Sequence, residues 1–212
     1  MGSPELARHL EPATRELVAV AGVRPGMRVL DVGGAVALAA AAAGADVTAV
    51  RVAGVERTPF AGGEFDAVLS SFGVMFHPQP REAVAELLRV GRPGAPVALT
   101  AFASTGFMAE LLDLAIRRRP GASRPARWGR FESAFLWLGS DVEGFELEQH
   151  SLDLRFDDAG AAWDCFSTNA PEGARDAFDG LLAGSVREDG AVAIDLAYVI
   201  VRGHIANAGR AA

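Results

Sequence analysis

The sequence predicts a three-layer α/β domain: a mostly parallel sheet with helices on both faces and an antiparallel C-terminal edge. Three observations predict it. Short apolar runs at 27–32, 46–52, 65–71 and 96–103 alternate with stretches of helical periodicity, which is the pattern of β/α units around a buried parallel sheet. The late segment 146–156 alternates apolar and polar residues, as a half-exposed antiparallel strand does, and helices join it to a final strand at 191–202. The 212 residues suit one domain with a sizeable core, and half of them are apolar. Residues 1–205 read as that domain and 206–212 as a frayed tail.

Each element follows from local chemistry. Ser3-Pro4-Glu5 starts a helix, with serine as the cap and proline in the first turn. Leu6, Leu10, Leu17, Val18 and Ala21 keep helical spacing, and Pro12 predicts a break. Gly22 ends the helix, and Arg24-Pro25-Gly26 turns the chain into the first strand. A short helix at 36–43 stops at Gly44 and leads to the second strand. Gly54, Pro59, Gly62 and Gly63 make 53–64 a loop before the third strand. Val84, Leu87 and Leu88 mark a helix over 81–90, and Arg92-Pro93-Gly94 turns into the fourth strand. Helices are predicted at 106–118, 130–138, 159–168 and 173–184.

Charge and composition exclude several classes. With 20 Lys and Arg against 27 Asp and Glu, the net charge of −7 argues against a nucleic-acid phosphate backbone as partner. The one basic run, Arg117 to Arg119, suits a solvated helix C-terminus. The single cysteine, Cys165, permits neither a disulfide framework nor a cysteine-based zinc site, and no metal-ligand cluster stands out among the four histidines. Residues 1–20 carry charges throughout and no apolar run reaches spanning length, so a cytoplasmic protein is expected, without membrane contact.

In open α/β sheets, ligands bind beyond the carboxyl ends of the strands. That rule selects 31–35, 51–60, 70–80 and 103–106. Gly26-Met-Arg-Val-Leu-Asp-Val-Gly33 resembles motif I of class I S-adenosylmethionine-dependent methyltransferases. Thr58-Pro59-Phe60, the run Gly63 to Ser70, Phe72 to Phe76, and Glu86 to Gly94 resemble the motifs that follow it in the UbiE, or type 11, small-molecule group. The resemblance is clear over 22–103 and weaker to the C-terminus. It implies the Rossmann-like methyltransferase fold. For the cofactor it implies Asp31, Gly33, Gly34 and Ser71 as binding residues, if S-adenosylmethionine binds at all.

Three departures speak against that cofactor. The family's glycine loop is cut short after Gly34, where Ala35-Val36-Ala37 begins the helix. The family's ribose-binding carboxylate at the end of strand two is replaced by Arg51, which has only donors and a positive charge. The span 52–60 is too short for the next helix and strand, so one β/α unit is trimmed; the adenine-contacting acid aligns with Gly54, and Glu56 is the only carboxylate nearby. No cofactor is therefore expected.

His77 is the candidate acid–base residue, since imidazole titrates near neutrality. It reads equally as a surface histidine capping the turn before Pro78. Glu56, Glu110, Asp164 and His150 are candidate partners. Phe72, Met75, Phe102, Phe107, Trp128, Trp163 and Phe166 either line an apolar substrate pocket or pack as core.

Three functions compete. The first is a small-molecule tailoring enzyme, repurposed to cyclisation, isomerisation or elimination without S-adenosylmethionine, with His77, Arg51 and Glu56 catalytic. The second is a methyltransferase with a remodelled cofactor site. The third is a non-catalytic subunit that pairs with itself or with an intact relative.

Overall fold

A computed structural model describes residues 3–117, 125–170 and 173–207. It contains a six-stranded sheet in the order β2-β1-β3-β4-β6-β5. The strands are β1 (Arg28–Val32), β2 (Asp46–Val50), β3 (Ala67–Ser71), β4 (Pro96–Phe102), β5 (Val142–Phe156) and β6 (Val192–Ile205). The first four are parallel to one another, whereas β6 runs antiparallel to both β4 and β5. Helices α1 (Pro4–Val20), α2 (Ala37–Ala42), α3 (Pro80–Val90), α4 (Phe107–Arg117), α5 (Phe131–Trp137), α6 (Ala159–Phe166) and α7 (Arg175–Leu182) complete the described elements. The expected fold class is the observed one.

Burial follows strand position. Every residue of β3 is buried, as are Val29 to Val32 of β1 and Val97 to Phe102 of β4, which is why these segments read as unbroken apolar runs. The half-exposed β2 lies at the edge, beside β1 alone. Its chain leaves at Arg51 and reaches β3 through 51–66 without a helix or strand, as the short loop predicts.

Two local expectations are corrected. Pro12 does not break α1, which runs unbroken from Pro4 to Val20. Pro12 lies on the exposed face of the helix, so the carbonyl it leaves without a partner can turn to water. The fifth strand begins at Val142, earlier than the alternation suggested. A register shift between Glu143 and Glu146, with Gly144 at φ 65°, disrupts the period-two pattern there. The expected end of α4 at 118 and most of the expected tail, from 208 onward, lie outside the described residues.

Candidate functional site

The site begins where β3 ends. Phe72 adopts φ 50°, a left-handed conformation that turns the chain sharply into a one-turn 3₁₀ helix, Val74–Phe76. Ser70 holds this corner from below: its hydroxyl donates to the Val32 carbonyl at 2.7 Å and accepts the Val74 amide at 3.0 Å. His77 caps the turn, its amide donating to the Val74 carbonyl at 2.9 Å.

The His77 ring is buried at 4% exposure, so the exposed surface histidine is not what the structure contains. Its Nε2 lies 2.8 Å from Glu56 Oε2. Its Nδ1 lies 3.0 Å from the Gln79 carbonyl and 3.2 Å from the Gln79 amide. This gives both protonation states a full set of partners. The neutral ring donates Nε2–H to Glu56 and accepts the Gln79 amide; the imidazolium donates to Glu56 and to the Gln79 carbonyl. The outward-facing member of the pair is the carboxylate, whose side chain is 36% exposed. Of the four candidate partners, Glu56 is the one brought to His77; Glu110 and Asp164 face solvent. His150 instead stacks on Tyr198 and pairs with Glu16 at 3.2 Å.

The loop is built to deliver Glu56. Val55 is buried, and the Val55 amide donates to Val52 and that of Arg57 to Gly54, closing a turn with Gly54 at φ 87°. The Thr58 amide and hydroxyl both donate to Glu86 Oε1 on α3, at 2.8 and 2.7 Å. Arg89 grips the same carboxylate with two N–H groups and donates a further bond to the Phe60 carbonyl at 2.8 Å. The Arg89 hydrogen bonds, with help from Thr58, hold the Glu86 carboxyl down at about 2. Glu56 also titrates below the usual carboxylate range, first because its own backbone amide donates to it and then because His77 does.

The other predicted residues sit at the end of β1. Asp31 is fully buried, and its Oδ2 accepts the Val36 and Ala37 amides at 2.9 and 2.8 Å, so the chain's own carboxylate occupies the start of α2. Its Oδ1 has no partner among the described residues. Burial pushes Asp31 up to about 6, against the pull of the amides. Gly33 (φ 110°) and Gly34 (φ 80°) shape the turn. A Cβ on Gly33 would lie 3.2 Å from the Gly73 Cα, and one on Gly73 would lie 2.5 Å from the Val32 carbonyl oxygen. The ends of β1 and β3 are therefore in backbone contact, and only glycine fits between them. Ser71 points away from this corner, sharing a 2.7 Å hydrogen bond with Thr14 of α1. Arg51 is exposed and has no hydrogen-bond or ion-pair partner among the described residues.

The predicted pocket aromatics pack against one another in separate groups. Phe72 stacks on Phe102 at 4.7 Å and meets Tyr198 edge-on. Phe107 and Phe166 lie 5.3 Å apart, and with Trp163 they surround Phe178 of α7. Trp128 is buried against Trp137, and Met75 is buried inside the 3₁₀ turn. Cys165 is buried, and desolvation raises its thiol to about 11, leaving it inert.

Several contributors escaped sequence reasoning: Glu86, Thr58, Ser70, Gly73, Gln79 and Phe178. Glu86 and Arg89 carried a signal, because their i,i+3 spacing on a helix allows an ion pair. The others act through tertiary contacts that no local pattern announces.

A methyltransferase-domain family, Methyltransf_11, matches residues 13–99. The uncharacterized protein Rv1405c of Mycobacterium tuberculosis is 35% identical over 184 residues, covering 72% of this chain and 67% of that protein. A demethylmenaquinone methyltransferase of Renibacterium salmoninarum is 34% identical over 115 residues, covering 44% of this chain and 48% of that enzyme. Among solved structures, the YcgJ protein of Bacillus subtilis shares the fold with a TM-score of 0.68 at 15% identity, over 92% of this chain and 99% of that one. Phosphoethanolamine N-methyltransferase 2 of Haemonchus contortus, solved with phosphomonomethylethanolamine and S-adenosylhomocysteine, superposes with a TM-score of 0.58 at 15% identity, over 92% of this chain and 53% of that one. The chain thus belongs to one family with Rv1405c, carries a Methyltransf_11 methyltransferase domain over residues 13–99, and has the class I methyltransferase fold. Among the described residues, no helix is long and apolar enough to cross a membrane.

Proposed function

We propose that this chain is a small-molecule enzyme on the methyltransferase fold that works without S-adenosylmethionine, by proton transfer at the Glu56–His77 pair. The observation that carries this reading is the 2.8 Å bond between Glu56 and His77. Glu56 is the one carboxylate of residues 52–60, and one of its two oxygens is bonded to the imidazole. The rest of the corner agrees. Arg51 offers donors where the sugar needs an acceptor, and the Gly33–Gly73 contact closes the gap between β1 and β3. The residues present do not fit the sulfonium nucleoside.

In this reading Glu56 takes a proton from the substrate at its exposed oxygen and passes it to Nε2 of the Nδ1–H tautomer of His77, whose imidazolium is held by Glu56 and the Gln79 carbonyl. Arg51, free and exposed, holds an anionic or carbonyl oxygen of the substrate. Cyclisation, isomerisation and elimination all need no more than this.

A second reading, a methyltransferase with a remodelled cofactor site, draws support from the family match and from Asp31 Oδ1, a buried acceptor without a hydrogen-bond partner among the described residues, which a ligand ammonium would satisfy. Titration calorimetry with S-adenosylmethionine and S-adenosylhomocysteine separates the two. No heat of binding is expected up to millimolar ligand, and micromolar affinity would overturn the proposal in favour of the second reading.

A further inference from the structure

The left-handed conformation of Phe72 is strained for a bulky aromatic residue, and such strain persists only where the surroundings over-determine it. The grip comes from the face of the sheet that carries α1. The Phe72 amide donates to Thr100 Oγ1 at 2.9 Å and to the Thr100 carbonyl at 3.3 Å. The Thr100 hydroxyl donates in turn to Ser71 Oγ at 3.3 Å, and Ser71 Oγ lies 2.7 Å from Thr14 Oγ1 of α1. The Thr14 hydroxyl donates to the Leu10 carbonyl at 3.3 Å, one turn earlier in the helix. A hydroxyl has one hydrogen to give. Those of Thr100 and Thr14 are already placed, so Ser71 is the donor in its short bond to Thr14. The result is one directed chain, from the Phe72 amide through three hydroxyls to α1. All three side chains are buried, where a hydroxyl that lost its partner would find no solvent to replace it.

The same helix also holds the Phe72 ring. Thr100 and Phe102 alternate onto one face of β4, and Tyr198 stands opposite Phe102 on that face. The Phe72 ring stacks on Phe102 and meets Tyr198 edge-on, and the Tyr198 hydroxyl donates to Glu16 Oε2 at 2.5 Å. Residues two apart point to opposite flanks of a helix. Thr14 thus reaches β3 on one flank of α1 and Glu16 reaches β6 on the other, with the buried Leu17 between them.

We propose that Thr14, Ser71 and Thr100 are positioning residues for His77. By fixing the Phe72 amide to α1 they set the direction in which the chain enters the 3₁₀ turn, which carries the imidazole to within 2.8 Å of Glu56. Ser70 fixes the other side of the same turn through the Val74 amide, so the corner is clamped from both faces of the sheet. The three hydroxyls act through the backbone between Phe72 and His77. The inference rests on the Glu56–His77 pair as the working site proposed above.

Carbon NMR of the Glu56 carboxyl in the folded full chain tests it, because the His77 bond is one cause of the low titration of that group. Thr100→Val and Thr14→Val each remove one hydroxyl with little change of shape, and Thr100→Ser and Thr14→Ser keep it. The Glu56 midpoint should rise in each valine variant by a third or more of its rise in His77→Phe, and both serine variants should titrate as the wild type does. A purely structural role would lower Tm and leave the midpoint of the folded protein in place. A smaller rise in either valine variant would overturn the proposal, as would serine variants that shift as far as the valine ones. His77→Phe separates the two levels. If it moves the Glu56 midpoint and the valine variants do not, the pair stands and the positioning chain falls; if it leaves the midpoint unmoved, the pair does not form and both fall. Should Thr100→Val fail to fold, Thr14→Val on α1 decides by the same readout.

Discussion

Substituting Gly73 with alanine probes the closed corner at the ends of β1 and β3. Gly73 has φ −95° and ψ −70°, a right-handed conformation that alanine accepts, so any cost is steric. The added Cβ would sit 2.5 Å from the Val32 carbonyl oxygen and 2.8 Å from Ser70 Oγ. Neither neighbour can yield alone, because Ser70 donates to that same carbonyl at 2.7 Å and accepts the Val74 amide. Overpacking a core costs about 1–3 kcal/mol, and losing a buried hydrogen bond adds about 1 kcal/mol, giving about 3 kcal/mol in all. For a domain of this size that lowers Tm by about 10 °C, read by differential scanning calorimetry. Gly34→Ala is the control, since its Cβ would meet nothing within 4 Å and only φ 80° is strained, costing about 1 kcal/mol. A Tm for Gly73→Ala within about 2 °C of wild type, or a larger loss for Gly34→Ala, would show that the corner is open and that room for a nucleoside remains.

Two further predictions concern charge. Asp31 titrates at about 6 in the fold against 3.8 as a free side chain, so the native state keeps a proton that the unfolded chain has released. The contribution of Asp31 to stability should therefore be greatest below pH 4, fall by roughly 3 kcal/mol as pH rises to about 6, and be absent above. The difference between wild type and Asp31→Asn in urea unfolding isolates this dependence, and parallel curves from pH 4 to 7 would contradict it. In His77→Phe, the Glu56 carboxyl should titrate higher than in wild type, followed by carbon NMR, yet stay below 4.5, because the larger cause of its depression, its own amide, remains. An unmoved midpoint would mean that the pair does not form in solution.

Fold and site were legible to different depths. The buried strands could be read because β1, β3 and β4 sit inside the sheet, where both faces demand apolar residues. The trimmed connection after β2 could be read as a count of residues. Pro12 misled because the rule that proline breaks helices assumes a carbonyl with nowhere to turn, and solvent exposure is a tertiary fact. The Glu56–His77 pair was legible as a candidate, since both lie in loops at strand carboxyl ends, but its geometry was not. Burial of the imidazole depends on the turn set by Ser70 and Gly73, and the reach of Glu56 on the clamp between Thr58 and Glu86. The aromatic pocket was the weakest reading, because ring composition alone does not distinguish a lined cavity from rings packed around Phe178.

The trimming after β2 links the pieces. In a longer chain, a helix and strand there would cover the β2 edge and carry the next loop away from the sheet. With 51–66 crossing directly to β3, the loop is short enough for Thr58 and Phe60 to be gripped by Glu86 and Arg89 of α3, which draws Glu56 onto His77. The same shortening leaves Val47 and Ala49 at the edge and Arg51 without a partner among the described residues. The short connection thus accounts for the tethered carboxylate, the exposed guanidinium and the open strand. It also predicts an order of dependence: loosening the clamp with Glu86→Gln should disturb the Glu56–His77 bond while leaving β2 and its edge untouched, because the clamp and the edge share only the residues between Val50 and Val55.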